Sequence, residues 1–165
     1  MRSPAWRVEV PDVSVAFEDG CQGRYDQRLA RECGDFVLRR SDGVYAYQLA
    51  VVVDDAAAGV TEVVRGADLI SSTPRQIWLY GLLGEEPPAY YHHPVLLAAD
   101  GRRLSKRDAD AGMDALKERF ERPEALLGHV AALAGVIERE EPLSAAELVA
   151  EFSWERVRRE DITVA

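Results

Sequence analysis

The chain has 165 residues, 47 % hydrophobic and 30 % charged, with a net charge of −9 and two cysteines. That composition suits one soluble domain with a small appendage. It excludes a membrane-spanning helix, because no window nears the roughly 18 apolar residues such a helix needs. It also argues against a dedicated nucleic-acid binder, which neutralises phosphates with Lys and Arg. Cys21 and Cys33 are too few for a disulfide framework and form no CxxC pair for zinc. Met1–Val10 lacks the apolar stretch of a signal peptide, so a reducing cytoplasm is the expected location.

In chain order, residues 7–16 alternate apolar and polar and read as strand interrupted by Pro11. Residues 35–40 read as a second strand, with Ser41-Asp42-Gly43 as a turn and Val44–Tyr47 as the start of a hairpin return. Residues 46–58 are ambiguous. Val51-Val52-Val53 favours strand, whereas the alanines and the stop at Gly59 favour helix. Residues 60–65 form a short strand. Ser72 or Thr73 caps a helix through Gln76, Ile77, Leu79 and Tyr80, with Pro74 in its first turn and Gly84 at its end.

Tyr90–Ala98 is short and apolar enough for a buried strand, and Asp100-Gly101 is a turn. Residues 109–121, 123–139 and 144–151 then carry helical spacing, with Ser144 and Glu147 placed as a capping box. Glu138–Glu141 reads as a solvated helix end. His129, among Leu126, Leu127, Val130 and Leu133, reads as packing, as do both cysteines and Trp6, Trp78 and Trp154. Strands alternating with helices, followed by a helical tail, predict an α/β fold.

Three segments carry chemistry. Arg103-Leu104-Ser105-Lys106-Arg107 is a basic loop with a hydroxyl, after a strand and a glycine turn. Arbitrary loops of this composition are merely solvated. Lys is nevertheless a compact charge with three donors, suited to a phosphate that shifts during reaction. In the second segment, Arg65 and Asp68 stand at the end of an apolar strand, where α/β folds place their ligands, and Tyr47 puts a hydroxyl on an apolar stretch. The bland alternative pairs Arg65 with Asp68 or Asp54 and packs Tyr47 in the core. The third comprises Ser72-Thr73-Pro74-Arg75-Gln76 and the pair His92-His93, ahead of Pro94-Val95.

These residues together resemble the glutamate-activating class I synthetases, the glutamyl-Q tRNA(Asp) and glutamyl-tRNA synthetase family. Arg103–Arg107 resembles the KLSKR form of the KMSKS loop, with Arg103 standing where that form has Lys. Tyr47-Gln48-Leu49-Ala50-Val51-Val52-Val53-Asp54-Asp55, with Gly59-Val60-Thr61-Glu62-Val63-Val64-Arg65-Gly66-Ala67-Asp68-Leu69, resembles YxLAVVVDD…GVTHVVRGADL. The third segment resembles the STPRQ and HLPL motifs. The likeness is specific from Phe36 to Arg107 and weaker over 122–157. It implies the second half of a Rossmann-like nucleotide-binding fold over 1–107, followed by a small helical appendage over 108–165.

The same resemblance implies the site. Tyr47 and Arg65 contact glutamate, and Arg suits a carboxylate because its planar fork makes two parallel bonds. His92, Pro94, Val95, Arg103, Leu104, Ser105, Lys106 and Arg107 contact ATP, with Lys106 stabilising the transition state of adenylate formation. Residues 46–55 become helix. The implied substrates are glutamate, ATP with Mg²⁺, and tRNA, gripped at its acceptor end or anticodon stem-loop, with no metal or zinc ligands in this chain. The implied reaction is ligation of glutamate to tRNA. The family's HIGH-containing first half has no counterpart here, so the expectation is half a site, completed by a separate chain or a longer gene. GADL rather than GEDH favours the glutamyl-Q side. The alternatives are part of a glutamyl-tRNA synthetase charging tRNA(Glu), or a non-catalytic remnant that binds nucleotide or glutamate.

Overall fold

In the computed structural model, which describes residues 4–104 and 113–164, the chain divides into two units that meet in sequence at His92/His93. That division falls ahead of residue 107, where the change of sequence character lies. No helix among the described residues is long and apolar enough to cross a membrane.

The first unit is built from strand pairs and two long helices. β1 (Trp6–Val8) pairs antiparallel with β4 (Phe36–Arg39), and β2 (Ser14–Asp19) pairs antiparallel with β3 (Gly23–Arg28). Pro11 lies between β1 and β2, where its missing N–H disturbs no ladder. A single turn, α1 (Leu29–Glu32), follows β3. The return after β4 is brief. Tyr45 bridges Arg39, the N–H of Ala46 donates to the carbonyl of Leu38, and the chain then enters α2 (Tyr47–Ala58).

The ambiguous valine run is therefore helical. Val52 is 1 % exposed and, with Val51 and Ala56, packs on a core of Val10, Leu29, Phe36, Leu79 and Tyr80. Burial of one helical face outweighs the few tenths of a kcal/mol per residue by which β-branched side chains disfavour helix. Gly59, at φ 68°, closes α2 in the left-handed conformation that glycine adopts without strain.

β5 (Glu62–Gly66) neighbours β6 (Ala89–His93). Between them, a 3₁₀ segment (Ala67–Ser72) runs straight into α3 (Thr73–Leu83), which ends at Gly84 with φ 74°. Pro74 occupies the first turn as expected, but neither hydroxyl caps the helix. Ser72 is already helical, at φ −85° and ψ −22°, and no side chain caps this end. Both hydroxyls are spent in the network described below.

The expected Tyr90–Ala98 strand is broken at Pro94 into β6 and, in the second unit, β7 (Leu96–Leu97). β7 pairs in parallel with β8 (Ile162–Thr163), and Leu97 bridges Arg103 across the Asp100-Gly101 turn. α4 (Met113–Arg119), α5 (Pro123–Ala134) and α6 (Ala145–Glu151) follow the basic loop. α5 stops earlier than its spacing suggests, because Gly135 turns left-handed at φ 82°. Glu138–Glu141 thus lies beyond the helix rather than forming its end. The capping box is present: Ser144 Oγ accepts the Glu147 N–H, and the Glu147 carboxylate accepts the Ser144 N–H. His129 packs on Phe120, with centroids 4.9 Å apart, and its Nδ1 meets Glu140 at 2.8 Å.

Candidate functional site

Three buried polar side chains of the first unit, His92, Thr73 and Gln76, meet at Arg65. The period-2 alternation of β6 buries Tyr90 and His92 on one face and exposes Ala89 and His93 on the other. Phe17 from β2 meets both buried rings edge-on, with centroids 5.9 and 6.4 Å away. Arg65, near the end of β5, lays its guanidinium over the Tyr90 ring at 5.3 Å, a favourable cation–π placement.

The Arg65 fork is held along one edge. Nε donates to His92 Nε2 at 3.0 Å, while Nη2 donates to Thr73 Oγ1 and to Gln76 Oε1, both at 2.8 Å. The partners are neutral side chains rather than Asp54 or Asp68, and all three are at most 1 % exposed. Gln76 Nε2 continues to Gln48 Oε1 at 2.8 Å, and Gln48 Nε2 to Ser72 Oγ at 3.1 Å. The hydroxyls of Ser72 and Thr73 are thus bound to α2 and β5 side chains.

Two consequences follow. Among the described residues no acidic side chain bonds the guanidinium directly, so its charge is open to an anion. Among the described residues only Nη1 lacks a hydrogen-bond partner, because Nε and both Nη2 hydrogens are committed. The two parallel bonds expected from the sequence would need a second nitrogen. In this arrangement a carboxylate meets Nη1 alone, unless Thr73 or Gln76 gives way.

Behind Arg65 stands a buried acid. Asp19, 4 % exposed at the end of β2, accepts from the His92 ring at Nδ1. It also accepts backbone N–H bonds from His92 and Cys21 at 3.0 Å and from Gln22 at 2.8 Å. Burial works to raise the Asp19 carboxyl, but the His92 ring and these N–H groups together hold it below the ordinary aspartate value. The Tyr90 hydroxyl is pushed well above its usual range, chiefly by burial, with smaller influences from Tyr80, Arg65, Asp55 and Tyr47. Tyr47 opens α2 and is half exposed.

Residues 3–163 match the family of class I tRNA synthetases (E and Q), catalytic domain. This chain belongs to that family. Over 137 residues it is 56 % identical to a glutamyl-Q tRNA(Asp) synthetase of Nitratidesulfovibrio vulgaris, covering 82 % of this chain and 42 % of that protein. Over 164 residues it is 44 % identical to one of Symbiobacterium thermophilum, covering 99 % of this chain and 50 % of that protein. The chain thus spans about half the length of the curated relatives it matches. A crystal structure of a glutamate tRNA ligase from Elizabethkingia meningosepticum, in complex with its amino acid, superposes with a TM-score of 0.76 at 25 % identity, covering 93 % of this chain and 34 % of that one.

Within the synthetase family, the resemblance placed His92 against ATP. Here its side chain is 0 % exposed and both ring nitrogens are committed inside the protein, so it faces Arg65 rather than a ligand. Pro94, Val95, Arg103 and Leu104 belong to the second unit. The Val95 N–H donates to Asp161 Oδ1 at 2.9 Å and its carbonyl accepts from Ile162 at 3.0 Å, so this backbone edge is already paired. Ser105, Lys106 and Arg107 lie outside the described residues. Among the described residues no three His, Cys, Asp or Glu side chains stand together as metal ligands.

Asp19, Gln48, Thr73 and Gln76 were not singled out from the sequence as site residues. Thr73 and Gln76 sit inside the STPRQ motif, so their type was in view. Asp19 precedes a glycine turn and reads locally as nothing more.

Proposed function

We propose that this chain contributes the glutamate site and part of the ATP site to an enzyme that activates glutamate and transfers it to tRNA. The reading is of the glutamyl-Q tRNA(Asp) synthetase type. The observation that carries it is the guanidinium of Arg65, anchored along one edge by His92, Thr73 and Gln76 with no acidic partner among the described residues, in a chain of the synthetase family. A fixed cation whose direct partners are all neutral is built for an anion.

The substrates of this reading are glutamate, ATP with the Mg²⁺ that accompanies it, and a tRNA acceptor end or anticodon stem-loop, in the cytoplasm. An oxygen of the glutamate α-carboxylate attacks the α-phosphorus of ATP. A carboxyl–phosphorus bond forms, the bond to the β-phosphate oxygen breaks, and pyrophosphate leaves. Positioning and charge neutralisation carry such a step without a protein nucleophile. Tyr47 and Arg65 orient glutamate. Arg103, Leu104, Ser105, Lys106 and Arg107 form the phosphate loop, with Lys106 the catalytic cation, and Pro94 and Val95 border the nucleotide. In this division of labour residues 1–107 serve catalysis and 108–165 form the helical appendage.

A glutamyl-tRNA synthetase charging tRNA(Glu) is the second reading, supported by the likeness to the glutamate tRNA ligase structure.

The test is glutamate-dependent ATP–pyrophosphate exchange. It is measured on the chain alone and on the chain supplemented with the complementary half of a relative. The expected result is little exchange alone and clear exchange in the mixture, abolished by Lys106→Ala. A mixture that folds and binds but never exchanges favours a non-catalytic binding module. Full activity in Lys106→Ala removes the role given to that lysine.

A further inference from the structure

We propose that Asp19 is a positioning residue for Arg65, acting by fixing the tautomer of His92, so that the fork presents Nη1 to the glutamate carboxylate. This rests on the reading that Arg65 binds glutamate.

The Nε proton of Arg65 is never absent. A guanidinium keeps all five N–H hydrogens under any ordinary condition. Arg65 Nε therefore donates, and His92 Nε2, at 3.0 Å, must receive that bond with its lone pair. The ring's remaining proton then sits on Nδ1, facing Asp19 Oδ2. Thr73 Oγ1 accepts from Arg65 Nη2 and lies 3.2 Å from the same ring nitrogen, whose one lone pair the Arg65 bond already occupies.

Asp19 is suited to enforce this state because it cannot turn away. Its Oδ1 is the shared acceptor for the N–H groups of Cys21, Gln22 and His92. The hairpin turn that carries it is tied to the same strand, since the Gly20 N–H donates to the Tyr90 carbonyl at 2.9 Å and Gln22 Nε2 donates to the His92 carbonyl at 2.9 Å. One oxygen is fixed by backbone, so the other is left for the imidazole. A histidine partnered this way keeps both its ring orientation and its proton position, as second-sphere carboxylates impose on histidines elsewhere.

Asp19→Asn reverses the arrangement with almost no change of shape. The side-chain oxygen stays with the three N–H groups, so the new NH₂ faces His92 Nδ1. That nitrogen must then accept, and the ring proton moves to Nε2. There it opposes Arg65 Nε–H, donor against donor, and the fork loses its anchor.

The test uses the full chain labelled with ¹⁵N, reading the histidine tautomers by two-bond ¹H–¹⁵N correlation. The chain has three histidines, and His93→Gln and His129→Gln assign the spectrum. The expected result is the Nδ1–H form of His92 in the wild type and the Nε2–H form in Asp19→Asn. Glutamate affinity, from the same samples, should fall about tenfold in Asp19→Asn. In a His92→Gln background, where the side-chain oxygen accepts from Arg65 without help, adding Asp19→Asn should cost nothing further.

Wild-type His92 protonated on Nε2 overturns the proposal, and this measurement needs no variant to fold. So does a folded Asp19→Asn chain that binds glutamate as tightly as the wild type. If the wild type binds no glutamate yet shows the Nδ1–H form, and the Arg65 Nε–H exchanges slowly with water only while Asp19 is present, the glutamate reading fails and the positioning of Arg65 stands.

Discussion

Arg65 and His92 are 27 residues apart in sequence and joined by a 3.0 Å hydrogen bond from Nε to Nε2. The bond ties the end of β5 to the buried face of β6, where His92 is fully enclosed. It makes Arg65 part of the fold on one edge, and among the described residues Nη1 has no hydrogen-bond partner. Arg65→Lys keeps the charge but cannot reach three acceptors in one plane. Glutamate affinity should fall on the order of tenfold to a hundredfold, the value of a bond to a charged group. Stability should fall by about 1–3 kcal/mol, because His92, Thr73 and Gln76 lose a donor while buried. Calorimetric titration and urea melts read both effects. An unaltered affinity would mean that the fork does not hold the substrate.

The acid limb of stability should carry the signature of Asp19. Its carboxyl is held below the ordinary value of 3.8, because the bonds from His92 and the backbone N–H groups outweigh the burial that would raise it. A folded value below the unfolded one adds stability that is fully present above the unfolded value. That stability is withdrawn as pH falls through the folded value. Urea midpoints should drop on acidification below about pH 4. Asp19→Asn, less stable at neutrality, should show a shallower drop. Parallel curves for the two proteins would contradict the assignment. Asp12 and Glu147 are lowered in the same direction by Arg28 and Ser144, so part of the slope remains in the variant.

Gly128 reverses the usual helix rule. Alanine in the middle of a helix is ordinarily about 1 kcal/mol better than glycine. A Cβ on Gly128, however, would lie 1.7 Å from the Glu141 carbonyl oxygen, so α5 or the Glu141-Pro142 backbone must move. Gly128→Ala should destabilise by about 1–3 kcal/mol or more, read in thermal or denaturant melts. A stabilised variant would show that the close approach of α5 to Glu141 is absent in solution.

Sequence offers the candidate site only as residue types. Arg65 and the Ser72–Gln76 run stand out through their chemistry and spacing, and Tyr47 through the family resemblance. The bonds that join Arg65 to Thr73 and Gln76 are not visible there. Thr73 looked like a helix cap, and the cap is what a local reading assigns to a hydroxyl ahead of Pro74. The 3₁₀ segment leads into α3 without a break, which removes the need for a cap and frees the hydroxyl for Arg65. Asp19 and His92 are 73 residues apart, and nothing in either neighbourhood announces the other. The valine run of α2 failed on propensity for a related reason. Val52 is buried against Leu29, Phe36 and Leu79, and tertiary contacts decide where local preferences differ by so little. The end of α5 was misplaced because apolar spacing continues past Gly135, and a left-handed glycine stops a helix whatever follows.

The proposed function requires that this chain bind glutamate through Arg65 and Tyr47. It is tested most directly by titrating the ¹⁵N-labelled chain with L-glutamate and, separately, with L-glutamine. Such spectra detect binding as weak as the millimolar range, about 4 kcal/mol. The account predicts glutamate-dependent shifts centred on the Arg65 side chain and the Tyr47 backbone, much weaker with glutamine and lost in Arg65→Ala. Shifts that ignore both residues, or that are equal for the two amino acids, would contradict it.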